Sequence, residues 1–202
     1  SRSIYFRKKF IGNDSVALVL GDNFFYGSML TPLIKNSFLL EKGANIYLYP
    51  SKNPSSYGVV ELNNKGKIEK ILEKPKITKS NLVITGLYVF DKEVSKYVKK
   101  LKPSRRKELE IVDLIKIYHK KKELNLIKLG RGSAWLDVGS FDDLYSASNF
   151  VKNVEERQSY KIGCLEEIAY NNGWIKKFNI LKRIEKFKNS NYSKYLKNII
   201  NY

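Results

Sequence analysis

The run Val16-Ala17-Leu18-Val19-Leu20, followed at once by Gly21-Asp22-Asn23, constrains this chain more than any other stretch. Five apolar residues are too few for a helix and suit a strand buried on both faces. The run stops at a glycine, and an acid and an amide come next. In an open α/β sheet, ligands gather at the carboxyl ends of the strands, so Asp22 is placed to hold a cation against a ligand's phosphate. The alternative is an ordinary Gly-Asp-Asn turn, since these residues dominate turns.

The segments around it alternate between strand and helix patterns. Ser1 to Gly12 reads as the end of a helix, with Ile4, Phe6 and Phe10 as its apolar contacts, as if the chain began mid-domain. Phe24-Phe25-Tyr26-Gly27 reads as an aromatic loop. Thr31-Pro32 is a helix-start signal, with Leu33, Ile34, Phe38, Leu39 and Leu40 as an apolar face and Gly43 as its stop. Ala44 to Tyr49 is a strand. Tyr57–Leu62 and Lys67–Leu72 flank Asn63-Asn64-Lys65-Gly66 as a hairpin. Leu82 to Phe90 is a long β-rich run interrupted by Thr85-Gly86, and Asp91 is expected to cap the helix that follows. Glu110–Lys121 is a helix and Leu124–Leu129 a strand. Ser140 with Asp143 resembles a capping box, opening a helix to about Gln158 with Leu144, Ala147, Val151 and Val154 inside. Beyond it, Phe178, Leu181, Ile184, Tyr195, Leu196 and Ile199 recur at helical spacing in a tail that holds eight basic residues and one acid from Lys176 onward. The order predicts an α/β fold with some antiparallel strands and a helical C-terminal tail.

The net charge of +18 raises nucleic acid or an anionic membrane as partners. The cations, however, are mostly scattered lysines, and arginine, which reads phosphates and bases bidentately, is sparse. A solvated basic surface is the expectation, with neither nucleic acid nor membrane as a partner, and the positive field would still attract a phosphorylated substrate. A basic protein with a dedicated nucleic-acid face is the contrasting reading, and it would show steep salt dependence. The single Cys164 cannot form an internal disulfide. No stretch approaches the roughly 20 apolar residues of a membrane span, and the first twelve residues lack the apolar core of a signal peptide. A cytoplasmic protein is expected.

The polar inventory narrows the chemistry. His119 is the only histidine, which leaves Ser-His-Asp and Cys-His catalysis with little support, and no Cys/His cluster offers a zinc site. What remains is carboxylates after strands, a lysine after a hairpin, and glycines near both. Asp22 and Asp137 each follow an apolar or aromatic run beside glycines. Converging from distant segments they could hold Mg²⁺, which takes few protein carboxylates and completes its shell with water and phosphate. Asp137 alone would otherwise be a turn or cap residue. Glu73-Lys74 forms a second pair whose side chains point to opposite faces. Glu73 could accept sugar hydroxyl protons and Lys74 could meet a phosphate; the alternative is an exposed charge pair.

Seven segments now stand in one order: Leu20–Gly27, Tyr57–Glu61, Leu72-Glu73-Lys74-Pro75, Thr85–Asp91, Lys102-Pro103-Ser104, Glu108-Leu109-Glu110-Ile111, and Gly130-Arg131-Gly132 with Ala134-Trp135-Leu136-Asp137. With Glu155–Gln158, Cys164–Ala169 and Tyr192–Leu196 in the tail, the chain resembles the glucose-1-phosphate thymidylyltransferases, a branch of the sugar nucleotidyltransferases, over nearly its whole length. The resemblance implies a mixed, mostly parallel Rossmann-like nucleotidyltransferase sheet, incomplete at its N-terminal side, in residues 1–158, with a helical tail in 159–202. It implies nucleotidyl transfer from dTTP to glucose 1-phosphate, giving dTDP-glucose and pyrophosphate for deoxysugar and polysaccharide precursors, in a homotetramer. Asp22, Lys74 and Asp137 would be catalytic, with Mg²⁺ on Asp22 and Asp137. Asn23, Tyr57, Gly58, Glu73, Lys74, Ile84 and Trp135 would line the substrate site, Lys74 at the sugar phosphate. A non-catalytic sugar-nucleotide-binding module and another sugar-1-phosphate nucleotidyltransferase are the alternatives. The family's opening Gly-Gly-x-Gly-x-Arg segment has no counterpart in these residues. Lys107 stands where the family usually has Gly, and Val112 where it usually has Thr.

Overall fold

The computed structural model describes residues 11–104 and 107–201, so the helix expected before Gly12 lies almost entirely outside the described residues. The chain forms two compact units, one through Gly139 and one from Ser140.

The first unit is organised on the longest strand. Strands β1 (Val16–Val19), β3 (Ala44–Pro50), β4 (Gly58–Leu62), β5 (Ile68–Glu73), β6 (Leu82–Phe90) and β7 (Leu124–Lys128) form one sheet in the order β5-β4-β6-β3-β7, with β1 also paired to β6. All of β6 except Leu82 is buried. Its even-numbered Ile84, Tyr88 and Phe90 enter one core with helices α2 (Val94–Val98) and α3 (Ile111–Lys120), represented by Val94, Val98, Val112, Leu114 and Ile115. Its odd-numbered Val83, Leu87 and Val89 enter a second core with Tyr47, Trp135 and helix α1 (Leu30–Ser37). A strand with a core on each face must be apolar at every position, and this is why the run reads without alternation.

The sheet is mixed, and its pairings differ from a mostly parallel one. The register makes β1, β3, β4 and β7 run one way, but β6 runs the other way between them. Among the described pairings, only β3–β7 is therefore parallel. One edge of β6 is occupied by β3. The other is shared: β1 pairs from Phe90 back to Leu87, and β4 meets the strand at Val83. Ile84, Thr85 and Gly86 lie between these two partners, and the gap beside them positions the site.

Three local expectations change. β1 is not buried on both faces: its burial alternates, and Val19 is 54% exposed. The doubly buried strand is β6. The aromatic loop is strand β2 (Asn23–Tyr26), paired antiparallel with β8 (Ala134–Asp137) in a two-stranded ribbon. Helix α1 begins before Thr31, with Met29 as N-cap, and ends at Ser37 rather than near Gly43. Pro32 is tolerated because N–H groups of the first turn have no partner within the helix. Gly43 instead opens β3 at φ 111°, where a Cβ would lie 2.4 Å from the Glu123 carbonyl oxygen. Asp91 is not the N-cap of α2, which is Glu93; its carboxylate accepts from the Glu93 N–H in the turn leading into the helix and from the Tyr118 hydroxyl.

The second unit contains helices α4 (Phe141–Gln158), α5 (Leu165–Asn171), α6 (Lys177–Lys186) and α7 (Asn191–Asn201). The Ser140 hydroxyl caps α4, accepting from the Asp143 N–H at 3.1 Å and donating to the Asp143 carboxylate at 2.6 Å. Only Ala147 of α4 is buried; Leu144 is half exposed. The core is Cys164, Ile180, Ile184, Leu196 and Ile200. Phe178 and Leu181, expected inside, are half exposed because Ile180 and Ile184, four residues apart, define the inward stripe of α6.

Candidate active site

Every residue assigned to the site from the sequence lines one open cavity of about 200 Å³ in the first unit: Asp22, Asn23, Tyr57, Gly58, Glu73, Lys74, Ile84, Trp135 and Asp137. They come from five strands and the turns beside them. The cavity fills the gap along β6 between the end of β1 and the start of β4.

Its acidic side is built by the β2–β8 ribbon. Asn23 stands opposite Asp137 and Phe25 opposite Trp135, and the Val138 N–H closes the end on the Asp22 carbonyl at 2.7 Å. This register brings together two carboxylates 115 positions apart in sequence, as 137 − 22 shows. Both are held by one amide: Asn23 Nδ2 donates to Asp22 Oδ1 at 2.8 Å and to Asp137 Oδ1 at 3.4 Å. Among the described residues no group of three or more His, Cys, Asp or Glu side chains converges on a metal position. Two convergent carboxylates and no fuller cage fit a hard divalent cation that takes its remaining ligands from water and phosphate.

The opposite wall is the β4–β5 hairpin. Gly58 pairs with Glu73, and the Lys74 N–H donates to the Tyr57 carbonyl at 3.0 Å. Lys74 is left-handed, at φ 42°, a conformation that costs an L-residue roughly 1–2 kcal/mol relative to glycine. Pro75 follows, so the chain leaves the strand sharply at the exposed lysine. The absent side chain of Gly58 keeps the cavity open: a Cβ there would lie 3.0 Å from Val112 Cγ2 and 3.3 Å from Ile84 Cδ1. Tyr57 meets Trp135 edge to face, at 5.1 Å between ring centroids.

Sequence reasoning did not single out Tyr88, Gly86 or Thr85 for this wall, yet all line it. The signal was available, since Ile84, Gly86 and Tyr88 alternate on one face of β6. Burial, with the Glu73 carboxylate close by, pushes the Tyr88 hydroxyl well above the usual tyrosine range, so it stays a neutral donor. Thr85 is structural: its hydroxyl donates to the Tyr47 carbonyl at 3.0 Å. Val112 and Ile111, at the start of α3, make the far wall apolar.

Residues 2–154 match the family model described as nucleotidyl transferase. The chain belongs to the nucleotidyl transferase family. Curated relatives are glucose-1-phosphate thymidylyltransferases: that of Neisseria meningitidis serogroup A is 43% identical over 94% of this chain and 66% of its own length, and that of Neisseria gonorrhoeae is 42% identical over 96% and 67%. The Mycolicibacterium smegmatis enzyme is 44% identical over 92% of this chain and 64% of its own. The chain thus spans about two thirds of the length of these relatives. Among solved structures, a Bacillus anthracis chain described as a glucose-1-phosphate thymidylyltransferase with a sucrose bound has a TM-score of 0.66 at 34% identity, over 74% of this chain and 59% of that one. Nucleotidyl transferases generally use a divalent metal. No helix among the described residues is long and apolar enough to cross a membrane.

Proposed function

We propose that this nucleotidyl transferase acts in the transfer of a thymidylyl group from dTTP to glucose 1-phosphate. A phosphate oxygen of the sugar phosphate attacks the α-phosphorus. One P–O bond forms, the bond to the β-phosphate breaks, and pyrophosphate leaves with the electron pair. The observation that carries this reading is the convergence of the two carboxylates, the hairpin lysine and the hairpin glutamate on one cavity.

Each residue then has a role set by its place. Asp22 and Asp137 hold Mg²⁺, which when bound neutralises charge on phosphate oxygens. Lys74 binds the sugar phosphate, and its left-handed backbone turns it out of the strand towards the cavity. Glu73 accepts from sugar hydroxyls, Tyr88 donates as a neutral phenol, and Gly58 leaves room for the ring. Tyr57 and Trp135 supply flat apolar surface beside it. Such a reaction needs positioning and charge neutralisation more than proton transfer, which suits a site without histidine.

The family match runs to residue 154, inside α4. This supports a functional domain that extends to about Gln158, with 159–202 as a helical tail, although the compact units divide at Gly139. A cytoplasmic location and a homotetrameric assembly belong to the same reading.

Calorimetry of the chain with glucose 1-phosphate tests it. Binding is expected, weakened at least tenfold in Lys74→Ala. Binding without pyrophosphate release, when the segment present in the longer relatives is supplied, would assign a non-catalytic sugar-nucleotide-binding module instead. No binding would remove the sugar-phosphate assignment.

A further inference from the structure

The Asn23 carboxamide is the junction of the acidic side, and its four hydrogen-bonding positions are all used. An amide has an oxygen that accepts twice and a nitrogen that donates twice. Asn23 Oδ1 accepts from the Gly86 N–H at 2.9 Å and from Trp135 Nε1–H at 2.6 Å. Asn23 Nδ2 donates to Asp22 and Asp137. A backbone N–H and an indole N–H can only donate, so these two partners dictate which end of the amide faces them. The NH₂ end is thereby turned to the carboxylates; reversed, the amide oxygen would face two anions.

The placement follows from the ribbon. Asn23, Phe25, Trp135 and Asp137 lie on one face of the β2–β8 pair, because directly opposed residues share a side and alternate residues return to it. Trp135 is in turn held edge-on by Tyr57 and by Tyr49, at 5.1 Å and 5.9 Å. Gly86 completes the seat. A Cβ there would lie 2.4 Å from Asn23 Oδ1 and 2.5 Å from its Cγ, so the glycine that interrupts β6 is a notch for this amide.

We propose that Trp135 and Gly86 are positioning residues that act through Asn23 on the cation-binding pair Asp22 and Asp137. Asn23 orients the carboxylates, and Trp135 contributes by its indole N–H as well as by its surface. The proposal rests on the reading that the two carboxylates hold a divalent cation. Residues that orient metal-binding side chains from behind typically change metal affinity about 10–100-fold when lost.

The test is Mn²⁺ uptake by the whole chain, followed by electron paramagnetic resonance of the free ion, together with the Asn23 side-chain amide cross-peaks in a ¹⁵N–¹H spectrum. Trp135→Phe keeps a ring of similar shape and removes the donor. It is expected to weaken Mn²⁺ binding about tenfold and to move the Asn23 cross-peaks. Gly86→Ala reaches the same amide from the other side with the indole intact, and the same loss of Mn²⁺ is expected. Wild-type uptake of Mn²⁺ left unchanged by both variants, with unmoved cross-peaks, would overturn the proposal alone. A wild-type chain that takes up no Mn²⁺ would overturn the cation reading and the proposal with it.

Discussion

Two polar side chains tie other elements to strand β6: Asp91 just past its end, and Asn23 against Gly86 within it. Asp91 is 1% exposed and its partners are all protein. Its carboxylate accepts from the Gly43 N–H at 2.6 Å, the Tyr118 hydroxyl at 2.8 Å and the Glu93 N–H at 3.0 Å, so it joins the start of β3, helix α3 and the turn into α2. Burial and the Asp91 carboxylate both hold the Tyr118 hydroxyl well above the usual tyrosine range, so it remains the donor. Asn23 is only partly buried, and two of its four partners are carboxylates that line an open cavity. A buried charge surrounded by donors belongs to the fold, because removing it leaves several groups unpaired. A neutral amide that donates to two acids beside an open cavity orients side chains at a surface that a ligand can reach, and its loss leaves fewer buried groups unpaired.

That contrast can be broken by substitution. The largest effect is expected at Asp91. Asp91→Ala strands a hydroxyl and two N–H groups in the core, and should cost about 3–5 kcal/mol in urea unfolding. A loss under about 1 kcal/mol would show that Asp91 is not a structural junction. Asp137→Asn should do the reverse. Pyrophosphate release in the complete reaction should fall about 100-fold or more, while stability changes by less than about 0.5 kcal/mol. A destabilised Asp137→Asn with intact activity would place Asp137 in the fold instead.

Two of the left-handed lysines sharpen the same division. Lys74 at φ 42° lines the cavity, and Lys107 at φ 58° lies outside it. Glycine at either position relieves backbone strain and should add about 1 kcal/mol of stability. Lys107→Gly should leave glucose 1-phosphate binding unchanged, whereas Lys74→Gly should abolish it. Equal effects on binding would remove the role proposed for Lys74. The smallest effect is at Glu61, a buried carboxylate of β4. The Lys79 N–H and then the Thr78 hydroxyl, at 3.0 Å and 2.9 Å, hold its carboxyl below the ordinary value of 4.5. A depressed folded value means that the stabilisation is present above the unfolded pKa and is lost as pH falls through the folded one. The stability advantage of wild type over Glu61→Gln should therefore shrink as pH drops below about 4.5; a constant difference from pH 7 to pH 3 would refute this.

How far the site was legible depended on how local its signals were. The β4–β5 hairpin announced itself through Asn63–Gly66, where the Asn63 side chain accepts from the Lys65 and Lys67 N–H groups. Glu73 and Lys74 followed directly from its end. Helix α3 matched its apolar period to within a residue at each end. The β2–β8 ribbon was not legible. Each strand has four residues, they lie over a hundred positions apart, and a lone two-stranded ribbon is marginal in water. It forms because Phe25 and Trp135 pack against Tyr47, Val83 and Leu87 of the main sheet.

The sequence by itself determined the periodicities, the turns and the residue types able to meet a cation, a phosphate and a sugar, because each depends on neighbours a few positions away. Only the tertiary structure decided that the doubly buried strand is β6 rather than Val16–Val19, since burial depends on what covers each face. It also set the Gly21-Asp22 turn beside the end of β8, so that Asp22 and Asp137 share one amide. The register of β2 against β8 supplied the other carboxylate, and the Gly86 and Trp135 donors fixed the amide between them. Those are contacts between distant segments, and no local pattern carries their geometry.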